Sequence, residues 1–190
     1  MRLVLASASP RRLELLARIG VVPDAVLPAD LDEEPRKDEL PRPHALRLAS
    51  EKAEAVALRE PQALVLAADT VVAVGRRILP KVEDEATLRR CMALLSGRRH
   101  KVLTAVALVA PGHKLRTRLV ETIVAMKPLS AAEIDHYATL GEWRGKAGGY
   151  ALQGYGEVYV RFMSGSWSNV VGLPLAQTRL LLKGAGLAIA

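Results

Sequence analysis

The 190-residue chain is short of several things at once: one cysteine, one phenylalanine, two tryptophans and four tyrosines. A single cysteine forbids an internal disulfide and is compatible with a reducing compartment. Cys91 falls beside Leu88 and Leu95 in a helical pattern, where it reads as buried filler rather than a nucleophile. Aromatics make up 4% of the sequence, too few for a surface that stacks the bases of a single strand. The four histidines are scattered without metal-ligand spacing, which argues against zinc. No apolar run approaches the roughly 20 residues of a membrane span. The apolar stretch at the start is too short for the core of a signal peptide, so a cytoplasmic protein without membrane contact is expected. No Gly-rich loop ends in Gly-Lys-Ser/Thr, so the Walker phosphate loop is absent.

Acids are also outnumbered: 20 against 27 Lys and Arg, a formal net charge of +7. That excess points to an acidic partner. The basic residues come singly or in pairs instead of one block, which favours a small polyphosphate over nucleic acid. Half of the residues are apolar, enough for one substantial core, so a single domain over residues 1–190 is expected.

The most informative stretch runs from Leu3 to Leu16. Leu3–Ala6 reads as a short buried strand, and Ser7-Ala-Ser9 breaks it. Ser9-Pro10 then starts a helix, with Ser as N-cap and Pro in the first turn. Leu13, Leu15, Leu16 and Ile19 are expected on its buried side, and Gly20 ends it. Arg11 and Arg12 stand in the first turn, where the helix dipole disfavours cations by a few tenths of a kcal/mol. Ser7, Ser9, free backbone N–H groups and the guanidinium groups of Arg11 and Arg12 together suit a phosphate chain; two solvated arginines on a capped helix are the alternative.

Further along, Asp30–Pro43 reads as an exposed loop carrying Asp32, Glu33 and Glu34. Such acids are either solvated or part of a hard-cation site beside phosphates. A helix over His44–Arg59 buries Ala45, Leu48, Ala49, Ala53 and Val56, with Lys52 inside the stripe. Lys52 either snorkels or grips an anion in a cleft. Asp69 interrupts two apolar runs, and an unpaired carboxylate there is costly to bury, so a site acid at a strand end is expected. Gly75-Arg-Arg77 reads as a hairpin turn. Asp84 caps a helix over Glu85–Leu95, and Lys101–Ala110 with Leu115–Met126 form a hairpin. Ser130-Ala-Ala-Glu133 is a capping box opening a helix through Leu140. The Gly-rich Gly141–Tyr150 is irregular, Glu157–Met163 alternates as a strand, and Pro174 opens the last helix.

Several of these segments resemble the signatures of the Maf family of nucleoside triphosphate pyrophosphatases. They are Ala6-Ser-Ala-Ser-Pro-Arg-Arg-Leu-Glu-Leu-Leu16, Asp32-Glu33, Ser50-Glu-Lys-Ala53 and Ala68-Asp-Thr-Val-Val72, then Leu95-Ser-Gly-Arg98 with His100, Lys146-Ala-Gly-Gly-Tyr-Ala-Leu-Gln-Gly154 and Asn169-Val-Val-Gly-Leu-Pro-Leu175. Pro80-Lys81-Val82 departs from the usual Gly-Lys-Pro while keeping the lysine. The resemblance implies a mixed α/β fold, a partly antiparallel central sheet flanked by helices, in two lobes with a cleft, akin to the ITPases. It implies cleavage of a nucleoside triphosphate to the monophosphate and pyrophosphate, in a nucleotide-pool role. A divalent cation, Mg²⁺ or Mn²⁺, would be held by Glu33 and Asp69, with Asp69 as base or ligand. Arg12, Lys52 and Lys81 would neutralise phosphate charge. Arg11, Thr70 and Gln153 resemble the subgroup acting on dTTP and UTP, and a Gln amide suits a pyrimidine edge of mixed polarity. Asp69→Asn is expected to stop turnover without unfolding, and Lys52→Ala to weaken activity without a large loss of stability. A homodimer is left open. The rival reading is a non-enzymatic nucleotide- or nucleic-acid-binding regulator of septum formation; within enzymes, it is a phosphatase releasing orthophosphate.

Overall fold

The computed structural model describes residues 1–112 and 114–189, so His113 and Ala190 lie outside the described residues. The first third of the chain builds one edge of the sheet. β1 (Leu3–Leu5) leads into α1 (Pro10–Arg18), then β2 (Ala25–Val26), the irregular acidic loop, α2 (Pro41–Ala57) and β3 (Leu64–Val74). A hairpin through Gly75, at φ 60°, returns as β4 (Arg77–Leu79). β5 (Lys81–Val82), α3 (Glu85–Leu95), β6 (Arg99–Ala110) and β7 (Lys114–Met126) follow. The chain ends with α4 (Ala131–Leu140), β8 (Lys146–Ala147), a 3-10 turn over Tyr155–Tyr159, β9 (Val160–Ser164), α5 (Trp167–Val171) and α6 (Leu175–Gly184).

The main sheet has the order β2-β1-β3-β6-β7-β9, with β4 on the same edge of β3 as β1. β1 is parallel to β2 and β3; the remaining pairs are antiparallel. β5 and β8 form a separate two-stranded ladder.

Alternation along β3 divides the core, because successive side chains leave a strand on opposite faces. Val65, Ala67 and Val71 pack with Ala105 and Ala107 against the Ala45, Ala49, Ala53 and Val56 stripe of α2. Small side chains there let the helix lie close to the sheet. Leu64, Leu66 and Ala68 meet Leu15, Leu16, Leu181 and Leu182 of α1 and α6 on the other face. Farther along that same face, Val72 joins Leu88, Met92, Tyr137 and Trp143 in a second cluster around α3 and α4. β3 thus runs through both lobes, and the cleft opens where it passes from one to the other.

Several local expectations are corrected. Leu13 is exposed, because only Leu15 and Leu16 of α1 meet the sheet. Ser9 occupies the N-cap of α1 without a side-chain cap bond; Ser7 Oγ accepts the Ser9 N–H instead, at 3.1 Å. The alternating stretch from Glu157 begins as the 3-10 turn, held by the Tyr159 hydroxyl donating to Glu133 O, and becomes a strand only at Val160. A helix that sequence did not separate, α5, precedes Pro174. The capping box at Ser130 and the Asp84 cap are both present. No helix among the described residues is long and apolar enough to cross a membrane.

Candidate active site

β3 pairs with β1 through Leu66 and with β4 from Val72, which leaves one edge of the strand without a neighbour strand between them. Asp69 and Thr70 lie in that gap, in mid-strand. The expected strand-end carboxylate is therefore corrected: the neighbours part instead of the strand ending. Through the gap a cleft of about 440 Å³ reaches both faces of β3. Asp69 points to the α2 face and Thr70 to the α5 face, yet both line it.

On the α2 face, Lys52 comes off the helix one turn after Leu48. Its Nζ donates to Asp69 Oδ1 at 2.7 Å and lies 2.6 Å from Glu33 Oε1. Lys52 is 6% exposed and Asp69 4%, so this is a buried ion pair and not a snorkelling side chain. Lys81, exposed on β5, reaches Glu33 Oε2 from the opposite lobe. Burial pushes the Glu33 carboxyl up, but the hydrogen bonds and charges of Lys52 and Lys81 outweigh it and hold it down at about 2. Asp32, the other half of the acidic pair, accepts the Glu34 N–H and turns the loop.

The loop that carries Glu33 is pinned from behind. Glu39 accepts from Arg47 Nε and Nη2, both at 2.7 Å, and stands 2.8 Å from His44 Nδ1. This two-pronged pairing suits a guanidinium and a carboxylate. Arg47 Nη2 also donates to Glu34 O at 3.2 Å, one residue past Glu33.

On the α5 face, Arg12 folds inward from the first turn of α1. Its Nε donates to Gly172 O at 2.9 Å, Nη1 to Ser7 Oγ at 3.0 Å and Nη2 to Thr70 Oγ1 at 3.4 Å. All three acceptors are neutral, and among the described residues no carboxylate lies within ion-pair reach of it. The charge is fixed in place without a carboxylate in contact, and burial lowers its pKa although Asp69 and Glu33 attract it from a distance. Gly172 sits at φ 126°, where a Cβ would approach Thr70 Oγ1 and Arg12 Nε to 3.5 and 3.8 Å; glycine keeps that backbone against the guanidinium.

The far wall comes from the Gly-rich segment. Gly148 and Gly149, both at positive φ, press on Val72, Val82 and Leu88 so closely that a Cβ would lie within about 3 Å of their side chains. This seats Lys146 and Tyr150 on the cleft. Arg11 lines it too, with a buried Nε that has no partner among the described residues. Burial lowers Lys146 and Arg11, and Arg11 adds to the effect on Lys146. Tyr150 Oη lies 2.7 Å from His100 Nε2, and burial holds His100 down at about 4.

Ser7, Ser9, Arg11, Arg12, Glu33, Lys52, Asp69, Thr70, Lys81 and Gln153, all singled out from the sequence, line this one cleft, whereas Asp32 and Glu34 of the same acidic run do not. Sequence reasoning missed Arg144, Lys146 and Tyr150 as individual lining residues, although Lys146 and Tyr150 belong to a quoted segment. The signal was Gly148-Gly149 beside a lysine. The cleft presents six cationic side chains against two carboxylates. With two hard oxygen donors and that excess of cations, it suits a polyanion.

The sequence profile described as "Maf-like protein" matches residues 2–185. The dTTP/UTP pyrophosphatase of Caulobacter vibrioides is 63% identical over 184 residues, covering 97% of this chain and 95% of that protein. The dTTP/UTP pyrophosphatase of Rhodospirillum rubrum is 62% identical over 184 residues, 97% of this chain and 88% of that one. Among solved structures, a HAM1 protein from Coxiella burnetii superposes with a TM-score of 0.52 at 13% identity, over 97% of this chain and 99% of that one, which shows a shared fold. The segments that assemble the cleft lie within residues 2–185, and on that match and these identities the chain belongs to the Maf family.

Proposed function

We propose that this chain hydrolyses dTTP and UTP to the monophosphate and pyrophosphate in the cleft around Asp69, with residues 1–190 working as one domain. The observation that carries the reading is the Arg12 charge, without an ion-pair partner among the described residues, facing the Lys52–Asp69–Glu33–Lys81 cluster across β3. An anion with charge at several points satisfies both sides at once. The relatives named above supply the pyrimidine preference.

Glu33 and Asp69 would hold a divalent cation. Among the described residues no group of three or more His, Cys, Asp or Glu gathers, so the chain offers two carboxylates, and phosphate oxygens and water would complete the sphere. That donor set fits Mg²⁺ or Mn²⁺, which bind through one or two carboxylates plus substrate phosphate. When bound, such an ion neutralises phosphate charge and acidifies water.

Arg12, anchored by Ser7 and Gly172, grips the phosphates together with the α1 N-terminus and Ser9. Lys52 and Lys81 stabilise charge that develops as the bond between the α phosphorus and the leaving oxygen breaks. Asp69 Oδ1 is held by Lys52, and among the described residues no donor reaches Oδ2, the oxygen through which Asp69 would act on the attacking water, as its base or by way of the ion. Arg11, Thr70 and Gln153 face the nucleoside. Purified protein assayed with dTTP, UTP, a purine panel and 7-methyl-GTP tests this, with pyrophosphate and orthophosphate followed separately. Pyrophosphate released first from dTTP and UTP is expected. Orthophosphate as the direct product, or preference for 7-methyl-GTP, would overturn it.

A further inference from the structure

Thr104 stands opposite Thr70 in the β3–β6 ladder, fully buried and outside the cleft lining. Its Oγ1 donates to the Asn169 carbonyl of α5 at 2.8 Å. A threonine has one hydroxyl proton, and a carbonyl can only accept. The proton of Thr104 is therefore committed. Thr70 Oγ1 lies 2.9 Å from Thr104 Oγ1, so the proton on that line belongs to Thr70. On its other side, Thr70 Oγ1 accepts from Arg12 Nη2. The chain of bonds has one direction, from Arg12 through Thr70 and Thr104 to the α5 backbone.

We infer that Thr104 is a positioning residue for substrate choice: by taking the Thr70 proton it leaves Thr70 able to offer only a lone pair to the cleft, which favours a base that presents an N–H. This deepens the proposed function and rests on its assignment of Thr70 to the nucleoside. Uracil and thymine carry a proton on ring N3; cytosine carries a lone pair there. A hydroxyl locked as acceptor welcomes the first and repels the second. A hydroxyl free to rotate would serve both.

The test compares kcat/KM for UTP and CTP in the wild type, Thr104→Val, Thr104→Ser, Thr70→Val and the Thr70→Val/Thr104→Val pair. The Asn169 carbonyl also accepts the Gly172 N–H at 3.1 Å, so it keeps a partner when the Thr104 hydroxyl is removed. The wild type should prefer UTP, and Thr104→Ser should keep that preference. Thr104→Val should narrow the UTP:CTP ratio by about tenfold, the scale of one neutral hydrogen bond gained or lost. In the Thr70→Val background, adding Thr104→Val should leave the ratio unchanged, because Thr104 acts through Thr70. This comparison also serves if the single valine variant fails to fold; a further change in ratio there would overturn the inference. So would an equal loss of activity on both nucleotides in Thr104→Val, or a wild type that turns over CTP as well as UTP. A wild type that hydrolyses neither UTP nor dTTP would remove the proposed function itself and the inference with it.

Discussion

The ammonium of Lys52 lies 2.7 Å from Asp69 Oδ1 and joins a helix to the centre of a strand. With Glu33 on the same nitrogen at 2.6 Å, one lysine holds two carboxylates that would otherwise repel each other. Removing the ammonium strips both acids of their shared partner, whereas neutralising Asp69 leaves Lys52 paired with Glu33.

Asp69→Asn keeps the shape and the hydrogen bond to Lys52 but removes the proton acceptor. Turnover should fall by about 10³-fold, within the range of general-base contributions. The melting temperature should move by no more than about 3 °C, the shift expected of about 1 kcal/mol in a chain of this size. Activity near the wild-type level would remove Asp69 from the proposed chemistry.

Lys52→Ala should be worse for the fold than the sequence suggests. Stripping one partner from a buried ion pair costs about 3 kcal/mol. That corresponds to a melting temperature lower by about 10 °C, alongside a loss of kcat. Differential scanning calorimetry with a parallel assay reads both. An unchanged melting temperature would restore the purely functional reading of this lysine.

Arg12→Lys keeps the charge but loses the fork that spans Gly172, Ser7 and Thr70. A lysine cannot reproduce that spread of donors. We expect kcat/KM to drop by about 10- to 100-fold, the cost of roughly one to two charge-assisted hydrogen bonds. Inhibition by inorganic tripolyphosphate, which has no base, should weaken in parallel. A drop confined to nucleotides would place Arg12 at the base instead of the phosphates.

His100 gives an acid limb to stability. Burial holds it at about 4 in the fold against an ordinary value of 6.5. Between those values the unfolded chain binds a proton that the folded chain refuses, so stability falls as pH drops from 6.5 towards 4, by about 3 kcal/mol at the lower end. Above pH 6.5 the imidazole is neutral in both states and contributes no slope. Denaturant midpoints measured from pH 7 to 4.5 should fall less steeply in His100→Phe than in the wild type. Parallel curves would show that the group is already free to titrate.

Much of the site was legible in residue order. Ser9-Pro10 marks a helix start whatever lies around it, and Asp84 and Ser130 cap helices by bonds spanning three residues. The Ala45, Ala49 and Ala53 stripe announces a helix lying close on a sheet, with Lys52 anomalous within it. These are local or periodic features, and short-range sterics and hydrogen bonding decide them.

The partnerships were not legible. That Asp69 stands in a gap of the sheet depends on where β1 stops and β4 starts along β3, and no residue near Asp69 encodes that. That Glu39 and Arg47 brace the loop of Glu33 depends on how the loop folds back on α2. The direction of the Thr70 hydroxyl depends on Thr104 and on a carbonyl of α5, 34 and 99 positions away. Sequence by itself determined which segments become helices and strands and which side chains are chemically out of place in them. Only the tertiary structure decided which of those side chains meet, because burial, charge pairing and the sense of a hydrogen bond are properties of neighbours in space, supplied by strands and helices far apart along the chain.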